Sequence, residues 1–445
     1  MKAPYYFCGV GPSDFHYAAA VSTDYSPTSS AAESTDTLAS RPSIPRDRIL
    51  MLAKPTRVAA FLGLERNTGT VALAMFTMAL GEHLWRRFVP KYLEVLGAPV
   101  IAVGLYGSTE DLLDGLYQYP GGWFADRHGR RRALLLFVIL AAIGYAVMAA
   151  APAWPIVLVG LVFMMAWSSL ASPTLFAVVG DALPRERRAM GFSVQSILRR
   201  MPIVIAPVLG GLLIGTRGVR EGVRTGLTIS ILLALLTLVI VSQIRLALPP
   251  LSEVNVRGVW RSFPLPLRRL LLSDVFIRTC EGMVDIFLVL YALNVVGINA
   301  PQFGVLIAVQ TTTAILCYLP AARLADRLGR KPFVIATFTA FSLFPIAVML
   351  AHTFTGLVVA FVVGGLREMG EPARKALIVD LVPAGARARG VGLYYLIRSI
   401  AITPAATIGG LLWTLAPQVP FVLAGAIGLV GTVVFALTVK EEYAG

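Results

Sequence analysis

"GGWFADRHGRRR", residues 121 to 132, and "ARLADRLGRK", residues 322 to 331, are dense knots of charge in a chain of 445 residues of which only 14% are charged and 56% are hydrophobic. Such a composition belongs to a chain whose solvent is the bilayer. Apolar stretches approaching the roughly 20 residues that a helix needs to cross about 30 Å of hydrocarbon recur from Thr70 onward. They do not alternate apolar with polar, as barrel strands would, so the backbone must satisfy itself as helices. An all-α membrane protein is expected.

A net charge of +14 could mark a nucleic-acid-binding surface, but the arginines and lysines concentrate in short loops between alternate apolar runs. That is the distribution of cytoplasmic loops. The expected partners are therefore the lipid bilayer and a small-molecule substrate, with no nucleic acid, and the chain is expected to act as a monomer. Cys8, Cys280 and Cys317 form no CxxC or Cys/His spacing, so neither a disulfide framework nor a metal site is expected. Residues 1–66 are rich in Ser, Thr and Pro and read as a disordered cytoplasmic tail without a cleavable signal.

Loops divide the rest into twelve expected spans. Six lie near 70–90, 99–125, 133–153, 155–180, 189–215 and 226–247, in a first lobe over 67–248. A Pro- and Arg-rich cytoplasmic connector, 249–268, leads to six more near 270–296, 301–325, 332–352, 355–381, 388–415 and 418–439, in a second lobe over 269–440. An even count puts both termini, including residues 441–445, on one side, and the Arg-rich loops make that side the cytoplasm. The lobes repeat. Asp126 and Gly129 return 200 residues later as Asp326 and Gly329, while Glu82, Tyr92, Asp181, Arg199 and Gly210-Gly211 return 199 later as Glu281, Tyr291, Asp380, Arg398 and Gly409-Gly410. A parallel repeat about an axis along the membrane normal is a two-lobed transporter plan.

The pattern G-x-x-x-D-R-x-G-R-[RK] between the second and third spans, echoed between the eighth and ninth, resembles the signature of the major facilitator superfamily. Gly122, Asp126, Arg127, Gly129, Arg130 and Arg131 carry the first copy; Asp326, Arg327, Gly329, Arg330 and Lys331 carry the second, where Ala322 replaces the leading glycine. The resemblance implies a gate in which Asp126 faces the start of the eleventh span, near Gly390, and Asp326 the start of the fifth, near Gly191. A helix N-terminus favours an anion. "APVLGG", 206–211, is similar to a Gly-Pro-x-x-Gly-Gly pattern of the superfamily's antiporters and reads equally as a small-residue packing face. Against a drug-antiporter reading, "MMAWSSLASP" in the fourth span lacks the arginine those families carry, and an arginine lies instead in the tenth, in "GGLREMGEPARK".

The third, sixth, ninth and twelfth spans are nearly free of charge, as lipid-facing helices are, whereas Glu82, Glu110, Arg199, Glu281, Arg367 and Arg398 fall near the midplane of six others. Buried charge in a membrane marks a cavity or a partner. Asp111, Asp114, Asp285 and Glu371 join them as candidate substrate- or proton-binding residues. Arg367 and Glu371 are spaced as an i,i+4 pair, Arg374 and Lys375 are expected to snorkel toward the cytoplasm, and Arg398 is expected to pair with an acid such as Glu110 or Glu281. Two acids one turn apart, Glu110 and Asp114 with Asp111 beside them, are candidates for carrying a proton.

The expected function is secondary active transport by alternating access, with a proton as coupling ion and an amphipathic compound exported across a prokaryotic plasma membrane. No cofactor is expected, no Walker-type loop appears and no enzyme chemistry is indicated. An organic-anion transporter using Arg199, Arg367 and Arg398 as a clamp, and a non-transporting membrane sensor, are the alternatives.

Overall fold

The computed structural model describes residues 66–172, 174, 175, 185–243, 263–382 and 387–439. The N-terminal tail, most of the connector and the C-terminal end lie outside them. Among the described residues all regular structure is helical. In the first lobe α1 (Arg66–Trp85), α2 (Val100–His128), α3 (Arg130–Ala150), α4 (Trp154–Met165), α5 (Arg185–Arg217) and α6 (Val219–Ser242) follow in order. The second lobe holds α7 (Leu265–Val284), α8 (Ala300–Leu328), α9 (Arg330–Leu350), α10 (Phe354–Leu366, resumed at Glu371–Leu381), α11 (Arg387–Ile402, resumed at Pro404–Trp413) and α12 (Val419–Thr438). Helix α7 begins earlier than expected because Pro264, extended at φ −66° and ψ 156°, presets the start. Among the described residues, seven helices are long and apolar enough to cross a membrane by length and composition alone.

The lobes are built alike. Helix α1 packs on α5 and α6, and α3 on α4 and α6; correspondingly α7 packs on α11 and α12, and α9 on α10 and α12. The loop signature acquires its turns from Gly129 and Gly329, at φ 89° and 97°, where an L-residue with a Cβ would be strained. Each glycine ends one helix and caps the next, so α2 and α8 reverse directly into α3 and α9. Leu232, Leu235, Val239, Val433 and Leu437 point outward from α6 and α12, as lipid-facing side chains do.

The lobes meet through α2 against α11 and α5 against α8. Lipid tails are as apolar as leucine, so such contacts depend on close packing rather than on the hydrophobic effect. Successive glycines supply it. A Cβ on Gly210 would lie 1.7 Å from the Leu84 carbonyl oxygen of α1, and one on Gly211 would lie 2.5 Å from the Ala300 oxygen in the other lobe. Their repeat mates divide the same work, Gly409 against Met283 within the lobe and Gly410 against Val100 across it. The glycine pair of "APVLGG" is thus one contact inward and one contact across.

These cross-lobe approaches gather at the end of the bundle that holds the 96–99 and 297–299 turns, where Gly104 meets Ala406, Gly304 meets Pro207, and Ser108 accepts from the Thr407 amide at 3.1 Å and its hydroxyl at 2.8 Å. Toward Gly129 and Gly329 the helices separate. Leu116, Tyr119 and Trp123 of α2 and Leu316 and Leu324 of α8 are exposed, and a Cβ on Gly392 of α11 would meet nothing within 4 Å. Among the described residues, one end of the molecule is closed and the other is parted.

Candidate functional site

At the midpoint of the bundle both α1 and α7 leave α-helical geometry at equivalent residues. Trp85 (φ −126°, ψ −24°) opens a 3₁₀ turn over Arg86–Phe88, and Val284 (φ −120°, ψ −26°) opens one over Asp285–Phe287. The breaks bring charged side chains to the lobe interface. Arg86 binds Glu82 of its own helix and, through Nε at 3.0 Å, Glu110 of α2. Arg87 donates across the lobes to Asp285 at 2.6 Å. Just beyond, Lys91 donates to Asn294 at 2.6 Å, and Asn294 donates to Glu94 at 3.0 Å. A cavity of about 190 Å³ between the lobes is lined by His83, Arg86, Arg87, Glu110 and Asp285 on its polar side and by Ile286, Leu288, Phe303 and Ile307 on its apolar side.

The second lobe carries a charge network centred on Asp274, which the sequence reading did not single out. Asp274 is fully buried; its carboxylate accepts from Arg374 at 2.5 Å and from the Tyr394 hydroxyl at 3.1 Å, with Arg398 at 3.6 Å and Arg278 at 4.0 Å. Charged residues 274, 278 and 281 of α7 and 285 just beyond it are spaced 4, 3 and 4 apart, which is the signal that marks one helical face. Arg278 and Arg374 both bind Glu371, at 3.2 and 2.6 Å, and Arg278 also binds Glu281 at 2.7 Å. Unpaired, each of these charges would be costly in a low-dielectric interior; together they offset one another, while Asp274 Oδ1 and the Nε atoms of Arg278 and Arg398 make no hydrogen bond among the described residues.

Three expectations change here. Arg374 does not snorkel: it is 1% exposed, held between Asp274 and Glu371. Arg367 does not pair with Glu371, because the helix is interrupted between Leu366 and Glu371; its guanidinium instead lies 3.5 Å from Glu281 and 3.9 Å from Asp285, over the rings of Phe341 and Phe344. The acid beside Arg398 is Asp274, not Glu110 or Glu281.

On α2 the three acids fare differently. Glu110 is taken by Arg86, and Asp114 accepts from Ser169 at 2.7 Å, a serine placed by a π-helical turn over Ala166–Leu170 of α4. Asp111 has no hydrogen bond and no ion pair among the described residues, and Oδ2 stands 3.5 Å from where a Cβ on Gly282 of α7 would lie. The charges around it are carboxylates: Glu110, Asp114, Glu281 and Asp285.

The side chains of Arg199, Asp126, Asp326 and Arg327 lie outside the described residues, so the expected gate contacts do too. Arg200, next to Arg199, is described, reaching across the lobes to 3.8 Å from Glu368. Of the remaining signature residues, Gly122 is half-buried, Arg127 lies over Trp123 at 5.4 Å, Arg130 is buried and Arg131 exposed. Arg330 binds Asp380, tying α9 to α10, and Lys331 donates to the Ala436 carbonyl of α12 at 2.8 Å. Gly121, not weighed in the sequence, is the close approach on this stretch, with its Cβ position 2.1 Å from the Leu170 carbonyl oxygen.

The family model described as Major Facilitator Superfamily matches residues 70–280 and again 270–445, one copy for each lobe. The chain belongs to the major facilitator superfamily. It is a multi-pass membrane protein. Its similarity to the quinolone resistance protein NorA of Staphylococcus aureus is 26% identity over 161 residues, 36% of this chain, and the match spans only 41% of NorA. An uncharacterized superfamily transporter of Methanocaldococcus jannaschii, MJ1317, is 18% identical over 82% of this chain and 93% of its own. Among solved structures, a POT family transporter bound to a thioalcohol-conjugated peptide superposes with a TM-score of 0.71 at 16% identity, covering 84% of this chain and 97% of that one. The nucleoside transporter NupG gives 0.69 at 11% identity, covering 84% and 100%. At such identities the structures establish the fold alone.

Proposed function

We propose that this superfamily member exports amphipathic organic cations in exchange for protons, with Asp111 as the residue that alternately holds proton and substrate. The observation that carries this reading is an imbalance of partners. Arg86, Arg87, Arg278, Arg367 and Arg374 are each hydrogen-bonded within the protein, and Arg200 and Arg398 each have an acid within 4 Å. Asp111 has none among the described residues. Protonating or deprotonating it alters the charge at the contact of α2 with α7 without breaking an ion pair, and its carboxylate stands ready for a cation. An anion clamp is less well supported, because Arg367 is already committed to Glu281 and Asp285.

With the Arg-rich loops in the cytoplasm of a prokaryotic plasma membrane, the parted end faces inward and the closed end outward. An exporter loads from that side. The similarity to NorA supports export, and the apolar wall of Ile286, Leu288, Phe303 and Ile307 suits an amphipathic body. Only protons and substrate enter the scheme; it calls on no bound cofactor and on no second copy of the chain.

Purified protein in proteoliposomes with a trapped pH-sensitive dye tests the scheme. Three membrane-impermeant aromatic probes are compared: a quaternary ammonium, a neutral amide and a sulfonate. Proton counter-movement on addition of the ammonium alone is the expected result. A response confined to the sulfonate replaces this reading with an anion transporter, and no response to any probe favours a sensor.

A further inference from the structure

The proposed export of cations leaves one feature of the charged core unused. Among the described residues Arg398 makes no hydrogen bond. Its nearest acid is Asp274 at 3.6 Å, beyond hydrogen-bond reach; Arg374 and Tyr394 engage Oδ2 of that carboxylate, and Oδ1 accepts no hydrogen bond among the described residues. The buried Nε of Arg398 is without an acceptor, and the guanidinium lies over the Tyr395 ring, 4.6 Å from its centroid, with 16% of the side chain exposed. A guanidinium in a membrane interior with donors to spare and an aromatic platform beneath it is prepared for a planar anion.

Its position relative to Asp111 is fixed by two close approaches. Asp111 on α2 stands level with Gly282 of α7, and Gly115, one turn along α2 toward the parted end, packs against Ser399, the neighbour of Arg398. One turn of helix is about 5.4 Å. Along α7, the acid beside Arg398, Asp274, lies eight residues from Gly282, about 12 Å at 1.5 Å per residue. The levels of the unpartnered carboxylate and the under-used guanidinium are therefore offset by roughly 5 to 12 Å along the bundle axis, at the junction of α2, α7 and α11.

We infer that this junction is a two-ended subsite and that the substrate is amphoteric, carrying a basic nitrogen for Asp111 and a carboxylate for Arg398. The inference rests on the reading of Asp111 given above and adds the second charge. Oppositely charged ends also explain why the core keeps both an unpaired acid and an under-bonded arginine apart rather than letting them neutralise each other: each is a half-site whose partner arrives with the substrate. A substrate with one end missing leaves one buried charge unanswered, and that loss separates it from the full ligand.

Three aromatic probes differing only in their charged groups test this: 2-naphthylalanine with both, 2-(2-naphthyl)ethylamine with the cation alone and 3-(2-naphthyl)propionate with the anion alone. Binding to the detergent-purified full chain is followed by titration calorimetry. The expected result is that naphthylalanine binds about tenfold or more tighter than the amine. Arg398→Gln, which leaves Asp274 with Arg374 and Tyr394, is expected to bring the two to equal affinity, and Asp111→Asn to weaken both. Equal affinity of naphthylalanine and the amine for the unaltered protein, or no binding of naphthylalanine up to millimolar concentration, overturns the two-ended subsite. Proton counter-movement driven by the quaternary ammonium in proteoliposomes persists if only this inference fails and is absent if the cation-export reading fails with it.

Discussion

Arg87 of the first lobe and Asp285 of the second meet at 2.6 Å across the closed end of the cavity, on 3₁₀ turns that occupy equivalent places in the two repeats. Both side chains are about a third exposed, so the pair is a latch of modest strength rather than a fixed strut. Arg87→Gln is expected to weaken the closed end by on the order of 1 kcal/mol, about a fivefold shift in population. Spin labels at the exposed positions Val95 and Val295, one on each lobe, report it as a longer-distance population. Unchanged distance distributions would mean that the latch has no part in closure.

The glycines predict a separation of conformational from structural effects. Gly104 meets the Ala406 carbonyl of the other lobe, whereas Gly144 meets Met164 within its own. Gly104→Ala is expected to push the lobes apart at the closed end, lengthening the same label distances, with a small change in melting temperature. Gly144→Ala is expected to lower the melting temperature with no conformational shift, since its Cβ would lie 2.3 Å from a backbone nitrogen.

At Asp274 the expectation concerns stability. Asp274→Asn leaves Arg374 buried with half its carboxylate partners gone, and removing one member of a buried pair costs about 3 to 5 kcal/mol. Tyr394→Phe removes a single hydrogen bond and should cost about 1 kcal/mol. Because Arg398 only approaches Asp274, Arg398→Ala should destabilise far less than Arg374→Ala. Melting curves of the four variants in one detergent check the order; equal losses at Arg374 and Arg398 would contradict it.

Much of this architecture is legible in the chain because it is duplicated. The 199-residue offset that pairs Glu82 with Glu281 and Gly210 with Gly409 also pairs the helix breaks at Trp85 and Val284, although nothing in "EHLWRRF" or "EGMVDIF" announces a break. Depth along a span could be counted, so Glu82, Glu110, Glu281 and Arg367 could be placed at one level. Pairing could not. The break after Leu366 turns Arg367 away from Glu371 and toward α7; Gly370 and Pro372 mark where the helix restarts, but not which way Arg367 turns. Asp274 escaped because it sits in the apolar run "LLLSDVF", where one acid looks incidental until the 274, 278, 281, 285 spacing is followed as a face.

Asp111 is proposed to carry the exchanged proton. The measurement that meets it most directly is proton counter-movement in proteoliposomes driven by the quaternary ammonium probe, for the unaltered protein and for Asp111→Asn side by side. The amide fills the same space and cannot release a proton. Folding is expected to be preserved, since Asp111 holds no ion pair among the described residues. The variant is expected to melt like the unaltered protein and to move no protons in response to the cation; a variant whose substrate-driven proton flux matches the unaltered protein would rule Asp111 out as the proton carrier.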